Sequence, residues 1–317
     1  MEPHKFGGTR LPDKPSLGEQ SGTVVTLNDT AKWIDIIPPE EWTPAVQALR
    51  MFFLGQNFLE VPTQHLMRPH LGNLAACENP GSIVSVPFLG KNRALPQTGQ
   101  MWLEDFLLRN PDKYRGIFCV SYSYRNEQHP QKGRHNLVFP MFEFEMHGTH
   151  EELRALLSRL IVFLGIAATD KVHHADYEET ALRYGVNEIE DPQERRLQKE
   201  FGHAVLLSMF PEHTSPFWNM RRTADKAEKT DCLLYGIETI GSAERSSDPA
   251  DMWNRFHSIS GGAYAAKLFE LFGKEEILTE LLYFLDAESY PQGHVVRSGG
   301  GIGMTRMIRA LKLAGKI

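Results

Sequence analysis

The sequence has few cysteines, no excess of positive charge and no long apolar run, and each absence excludes a class of protein. The three cysteines, Cys77, Cys119 and Cys232, are odd in number and widely spaced among 317 residues, so neither a disulfide framework nor a Cys-x-x-Cys metal site is indicated. A formal net charge of −6 argues against electrostatically dominated binding of nucleic acid. No segment approaches the roughly 20 apolar residues that cross a bilayer. We therefore expect a soluble protein of the reducing cytoplasm, without a membrane partner.

The N-terminal 40 residues lack the apolar core of a signal peptide and are rich in proline, glycine and charge. Such a segment buries too little apolar surface to offset the entropy of ordering. Residues 1–40 therefore predict an arm that is at least partly disordered. The remaining residues, 41–317, are enough for one large α/β domain or two small ones.

Apolar spacing in this remainder predicts a mixture of helices and strands. Helical periodicity occurs in the residues from Thr43 to Phe53 and in 151–166. A capping aspartate followed by proline predicts a helix over 191–201, and a final helix over 304–313 follows the glycines. Strand composition occurs in residues 58–63, 203–210 and 229–237. Together these patterns predict a mixed α/β (α+β) fold.

Two arginines, an acid and an aromatic residue accompany the segment YRNEQHPQKGRHNLVFPMFEFE, residues 124–145. A second segment, SGGGIGMTRMI at residues 298–308, brings glycines up to Arg306. A guanidinium stays charged and grips phosphate oxygens through two hydrogen bonds, and glycines let the backbone approach a ligand closely. Either segment alone is compatible with a solvated turn or a bend. Together they outline a site for ATP.

A third segment, TDCLLYGIETIGSAER at residues 230–245, spaces two acids and an arginine at intervals of seven. Asp231 and Glu238 are the acids, and Arg245 follows. Carboxylates suit Mg²⁺, a hard cation that prefers oxygen ligands. The alternative interpretation is a strand-edge aspartate followed by ordinary surface charge.

The three segments, in their order along the chain, resemble the catalytic core of the class II aminoacyl-tRNA synthetases, in the subclass that handles aspartate, asparagine and lysine. The resemblance runs from about Trp42 to the C-terminus. It implies an antiparallel sheet flanked by helices in a single catalytic domain, residues 41–317. The helix and strand that begin at Thr43 resemble the family's first motif, which implies a homodimer, although Gln64 stands where the family has its usual proline.

The resemblance also implies a role for each candidate residue. Arg125 and Arg306 correspond to the catalytic arginines that contact phosphate, and Asp231 and Glu238 to the acids that hold Mg²⁺. The residues matched to ATP binding are Glu127, Arg134, His135, Phe139, which stacks on adenine, and Gly301 and Gly303. The residues matched to binding of the amino acid are Glu78, which receives the α-ammonium, Thr98, Gln100 and Arg245, which receives the side chain.

The short N-terminal segment bears on the acceptor. The aspartyl, asparaginyl and lysyl enzymes carry an anticodon-binding domain of about 100 residues before the core, whereas about 40 precede it here. We expect no such domain and regard tRNA as an unlikely partner. The implied function resembles that of archaeal asparagine synthetase, a stand-alone paralogue: an ATP-dependent, AMP-forming carboxylate–amine ligase. It activates aspartate, asparagine or a close analogue as an acyl adenylate and transfers it to ammonia or a small amine.

Two other functions remain open. One is a truncated synthetase that charges tRNA or a protein, and the other is a non-catalytic paralogue that senses an amino acid. Two departures from the family pattern leave the substrate open as well: Leu103 replaces the lysine that holds the aspartate side chain, and Val138 replaces an acid before Phe139. Asparagine, a modified aspartate or an analogue is therefore as admissible as aspartate. Thr305 replaces the acid before Arg306, so the nucleotide site also departs from the standard pattern.

Overall fold

A mixed sheet lies at the centre of the fold, in a computed structural model that describes residues 36–62, 71, 80–127 and 136–317. Three candidate site residues, Glu78, Arg134 and His135, lie outside the described residues, as does most of the N-terminal arm. No helix in the described ranges is long and apolar enough to cross a membrane.

The strands run along the chain in a largely antiparallel arrangement. They are β1 (Phe58–Glu60), β2 (Ser85–Phe88), β3 (Lys91–Ala94), β4 (Gly116–Tyr124), β5 (Val138–His147), β6 (Val172–Asp176), β7 (Ala204–Pro211), β8 (Arg222–Thr223), β9 (Lys226–Leu234), β10 (Ile237–Glu244) and β11 (Arg297–Gly303). The order across the main sheet is β1-β4-β5-β11-β10-β9-β7-β6, with β8 paired to β9, while β2 and β3 form a separate hairpin. The β1–β4 and β6–β7 pairs at its two edges are parallel and its other pairs are antiparallel.

Helices lie on both faces of this sheet. They are α1 (Pro39–Gly55), α2 (Gln100–Leu108), α3 (His150–Phe163), α4 (Tyr177–Tyr184), α5 (Asp191–Phe201), α6 (Pro249–Ser258), α7 (Ala263–Phe272), α8 (Lys274–Leu285) and α9 (Met304–Leu313). The structure thus confirms a mixed α/β fold with a mainly antiparallel sheet flanked by helices.

The two faces of the sheet differ because strand side chains alternate between them. Even-numbered residues such as Phe142, Ile240 and Ile302 face the main apolar core, where α1, α3 and α9 cover them. Odd-numbered residues face the other side. There α2 covers one end through Leu103 and its neighbours, and α4 and α5 cover the other end. The odd-numbered face is left open between these helices.

The helix predictions agree with the structure for two helices and differ at the ends of two others. Helices α5 and α9 have the bounds predicted from the sequence. Helix α3 begins at His150, because the Thr149 side chain accepts a hydrogen bond from the Glu152 amide in a capping box. It ends at Phe163, three residues before the predicted end. Helix α1 begins at Pro39, earlier than predicted.

Two strand predictions extend too far, and the first of them, over residues 58–63, ends at Glu60. The strand predicted over residues 229–237 ends at Leu234, and β10 starts at Ile237. Tyr235 and Gly236 between them have φ values of 50° and 72°, the left-handed conformations of a two-residue hairpin turn. The apolar run therefore contains a hairpin, which a strand-composition argument does not detect.

Two of the three cysteines lie in the described part of the chain. Cys119 and Cys232 are buried in strands of the sheet and form no disulfide. Burial raises the pKa of both thiols well above the usual range, so they are protonated and unreactive at neutral pH.

Candidate active site

A cavity of about 360 Å³ opens on the odd-numbered face of the sheet, in the gap between the covering helices. Residues from β5, β9, β10 and β11 form its floor, and residues around α2 and the start of α9 form its walls. Ten predicted site residues line it: Thr98, Gln100, Arg125, Glu127, Phe139, Glu238, Arg245, Gly301, Gly303 and Arg306. The three motif segments and the residues around Thr98, which lie far apart in sequence, therefore meet at one place.

Arg125 lies immediately after β4, where the chain leaves the sheet beside the cavity. Its Nε donates a hydrogen bond of 3.1 Å to the Ser123 hydroxyl, and its amide donates one of 2.7 Å to the Leu137 carbonyl. These two contacts fix the start of the segment that joins β4 to β5. Phe139, one residue into β5, presents a half-buried ring to the same cavity.

Arg306 enters the cavity from the first turn of α9. Its Nη1 donates to the Glu238 carbonyl oxygen at 2.7 Å and lies 3.7 Å from Glu238 Oε2. The Arg306 side chain is 30% exposed and that of Glu238 is 38% exposed, so both charges are open to a ligand. Arg306 and Glu238, which belong to two different motifs, therefore lie together at the cavity wall.

The glycines before Arg306 lie in a strand and provide space for neighbouring atoms; they do not form a turn. A Cβ at Gly299 would lie 2.2 Å from the Phe144 carbonyl oxygen and from Glu145 Cδ, and one at Gly301 would lie 2.7 Å from Met141 Cε. Glycine at position 299 thus accommodates the Glu145 carboxylate, and glycine at position 301 keeps the cavity floor low.

Glu143 lies at the floor of the cavity and was not predicted from the sequence. Its fully buried carboxylate accepts a hydrogen bond from the Gly99 amide at 2.7 Å and others from the hydroxyls of Thr98 and Ser121. Thr98, predicted to bind substrate, is therefore engaged with Glu143 and positions the start of α2. The available signal was the alternation FEFE, which places Glu143 and Glu145 on one face of a strand.

Arg245, predicted to receive the substrate side chain, is held by a buried network of charges. Its Nε donates to Glu145 Oε1 at 3.0 Å, and its Nη2 contacts the same oxygen. Glu104 lies 3.6 Å from Arg245 and 2.8 Å from Arg297, which is fully buried. Burial raises the pKa of the Glu145 carboxyl, against the lowering by Arg245. Two arginines and two glutamates thus balance one another beneath the cavity.

Asp231 and Glu238, predicted to hold Mg²⁺, flank Gly241. A Cβ at that glycine would lie 3.2 Å from Glu238 Oε1 and 3.7 Å from Asp231 Oδ1. Oxygen donors of this kind suit Mg²⁺, and Glu238 fits it. Asp231 does not line the cavity, and its Oδ2 accepts a hydrogen bond of 2.6 Å from Lys229. In the described part of the chain, no group of three His, Cys, Asp or Glu side chains converges as a metal site.

Lys229 was also not predicted as a site residue, although it lines the cavity. Leu103, at the position where the family has a lysine, is fully buried against Ile117 and Cys119 and is not part of the lining. The lysine of this cavity therefore comes from β9 rather than from α2.

Comparison with known proteins agrees with this arrangement. Residues 43–317 match the family described as tRNA synthetases class II (D, K and N). The chain belongs to this family. The resemblance inferred from the three motifs is thereby confirmed for the class and for its aspartate, asparagine and lysine group.

Relatives of this class II domain are distant and longer. The cytoplasmic asparagine–tRNA ligase of Dictyostelium discoideum is 24% identical over 304 residues, which cover 83% of this chain and 43% of the relative. The aspartate–tRNA(Asp) ligase of Pyrobaculum aerophilum is 21% identical, covering 84% of this chain and 62% of the relative. The chain thus spans about half the length of the curated relatives it matches.

Solved structures show the same fold for this class II domain. The asparaginyl-tRNA synthetase of Pyrococcus horikoshii, solved with asparaginyl-adenylate, aligns with a TM-score of 0.68 at 20% identity, over 87% of this chain and 65% of that one. The aspartyl-tRNA synthetase of Entamoeba histolytica aligns with a TM-score of 0.63 at 17% identity, over 87% of this chain and 55% of that one. These likenesses confirm the class II synthetase fold.

Proposed function

We propose that this domain activates the carboxylate of aspartate, asparagine or a close analogue with ATP, and that it transfers the acyl group to ammonia or a small amine. The observation that carries the proposal is the meeting of Arg125, Glu238 and Arg306 at one cavity above the buried Arg245–Glu145 pair. Membership of the class II family supports the activation step.

The chemistry needs charge stabilisation and no protein nucleophile. A carboxylate oxygen of the amino acid attacks the α-phosphorus of ATP, a new O–P bond forms, and pyrophosphate leaves. The amine nitrogen then attacks the acyl carbon, AMP leaves, and the amine releases a proton. Arg125 and Arg306 neutralise phosphate charge in the first step, and Phe139 supports the adenine ring. Glu238 would hold Mg²⁺, which would supply further charge neutralisation.

Arg245 favours a substrate with a short polar side chain. It belongs to the cavity lining although its guanidinium is 3% exposed. A guanidinium suits a carboxylate or carboxamide and repels the ammonium of lysine. Since Glu145 already neutralises Arg245, a neutral carboxamide is as well matched as a carboxylate.

A second candidate is the charging of tRNA, because the curated relatives are tRNA ligases for asparagine and aspartate. These relatives do not support the expectation that tRNA is an unlikely partner. The shared activation step leaves the acceptor as the difference between the two candidates.

The deciding experiment offers the acyl adenylate a choice of acceptors. Purified protein is incubated with ATP, Mg²⁺ and each candidate amino acid, then with ammonia, hydroxylamine or total tRNA. We expect AMP formation coupled to amide or hydroxamate. Aminoacyl-tRNA as the main product would establish the second candidate, and amino-acid binding without AMP or pyrophosphate release would indicate a sensor.

A further inference from the structure

Lys229 occupies a position on the cavity floor beside the acid that the family pattern assigns to a metal. The register pairs Lys229 with Ala243 of β10 and Asp231 with Gly241. All four residues are odd-numbered and lie on the face that carries the cavity. The Lys229 side chain is 16% exposed, so its charge is largely withdrawn from bulk solvent.

Two contacts fix the Lys229 ammonium. Its Nζ donates a hydrogen bond of 2.6 Å to Asp231 Oδ2, and it lies 3.8 Å from the centroid of the Phe210 ring. A cation over an aromatic face is attracted by the ring quadrupole, more strongly where water is excluded. The aspartate and the ring therefore hold the ammonium at the edge of the cavity from two sides.

A divalent cation and this ammonium compete for the same carboxylate. A metal at Asp231 Oδ1 would lie a few ångströms from the Lys229 ammonium, which is hydrogen-bonded to Oδ2. Like charges at such separations repel strongly outside bulk water. The Glu238 side chain, by contrast, is 38% exposed, and its cationic neighbour, Arg306, lies 3.7 Å from Oε2 and donates its hydrogen bond to the backbone carbonyl rather than to the carboxylate. The two acids are therefore unequal as metal ligands.

We propose that Lys229 takes the place of a metal ion at Asp231. The ammonium, rather than a divalent cation, then neutralises the phosphate charge of the ligand on the Asp231 side of the cavity. Glu238 is left as the metal-binding carboxylate. Lysine suits the task because its ammonium is a compact point charge with three donors. This inference deepens the proposed function and rests on it for the identity of the phosphate ligand.

The first experiment measures Mn²⁺ binding to the nucleotide-free, full-length protein by the electron paramagnetic resonance signal of free Mn²⁺. Lys229→Met keeps the alkyl stem over Phe210 and removes the charge. We expect Lys229→Met to bind Mn²⁺ at least about tenfold more tightly than the wild type, the scale on which groups next to metal ligands act. Adding Asp231→Asn to that variant should abolish the gain.

The control is Lys226→Met, which removes a lysine on the same strand that pairs with Glu178 away from the cavity. It should leave Mn²⁺ affinity unchanged. The proposal is overturned if Lys229→Met gains no Mn²⁺ affinity, including the case in which no protein binds Mn²⁺. It is also overturned if Asp231→Asn alone weakens Mn²⁺ binding as much as Glu238→Gln does.

The second experiment titrates a non-hydrolysable ATP analogue in excess EDTA by calorimetry. Lys229→Met should weaken metal-free binding about tenfold, because a charged hydrogen-bond partner of phosphate is lost. Equal binding by the wild type and Lys229→Met would contradict the contact between Lys229 and phosphate, but not the proposed function. Absence of nucleotide binding in every protein would contradict the proposed function as well, while the Mn²⁺ titration would still report on Asp231.

Discussion

At the residue scale, the partly exposed Arg306 and the buried Arg245 serve different purposes. Arg306 is open to a ligand and is held by the Glu238 carbonyl. Arg306→Ala should therefore weaken ATP binding, by about 1.5–3 kcal/mol for a lost charged hydrogen bond, with little change in stability. Arg309→Ala, on the exposed side of the same helix, is the matched control. Calorimetric titration with ATP tests the pair, and equal affinity in the two variants would contradict the assignment.

Arg245 is a structural charge as well as a predicted substrate contact. Arg245→Met leaves Glu145 buried without its partner, and breaking a buried pair on one side costs about 3–5 kcal/mol. The double variant Arg245→Met/Glu145→Met should recover most of that loss. Urea unfolding measures all three proteins. A single variant as stable as the wild type would show that the network does not hold the fold.

At the element scale, β11 carries glycines with distinct requirements. A Cβ at Gly299 meets the backbone carbonyl of Phe144 at 2.2 Å, whereas the nearest atoms to a Cβ at Gly303 are 3.9 Å away. Gly299→Ala must displace β5 and should cost at least about 3 kcal/mol. Gly303→Ala should cost less than about 1 kcal/mol. Chemical denaturation of the two variants tests this, and similar losses would contradict the packing argument.

The elements also show how far sequence reasoning reaches. The bounds of α5 and α9 were predictable because local residues mark their starts: Pro192 lies in the first turn of α5, and a glycine run precedes α9. Glu143 and Lys229 were not, because their place in the cavity depends on β5, β11, β10 and β9 lying side by side, which is long-range information. Arg125, Glu238 and Arg306 were found through a family resemblance that carries this arrangement implicitly. Composition alone would have left each as a surface charge.

At the scale of the whole molecule, we propose the homodimer that the resemblance to the first motif implies. Exposed apolar side chains favour it. Met51 and Phe163 are 65% and 49% exposed and line one apolar cleft between α1 and α3. Exposed apolar clusters of this kind mark interaction surfaces. Met51→Glu/Phe163→Glu should yield monomers in sedimentation velocity, while Leu182→Glu, at a site that is 83% exposed on α4, should not. A monomeric wild type would contradict the proposal.

The central claim is that the cavity activates a small amino acid with ATP. Amino-acid-dependent exchange of labelled pyrophosphate into ATP measures that step directly, without any acceptor. The account predicts exchange with asparagine, aspartate or a close analogue, loss of exchange in Arg306→Ala, and retention in Arg309→Ala. Exchange supported best by lysine, or no exchange with any amino acid although ATP binds, would contradict it.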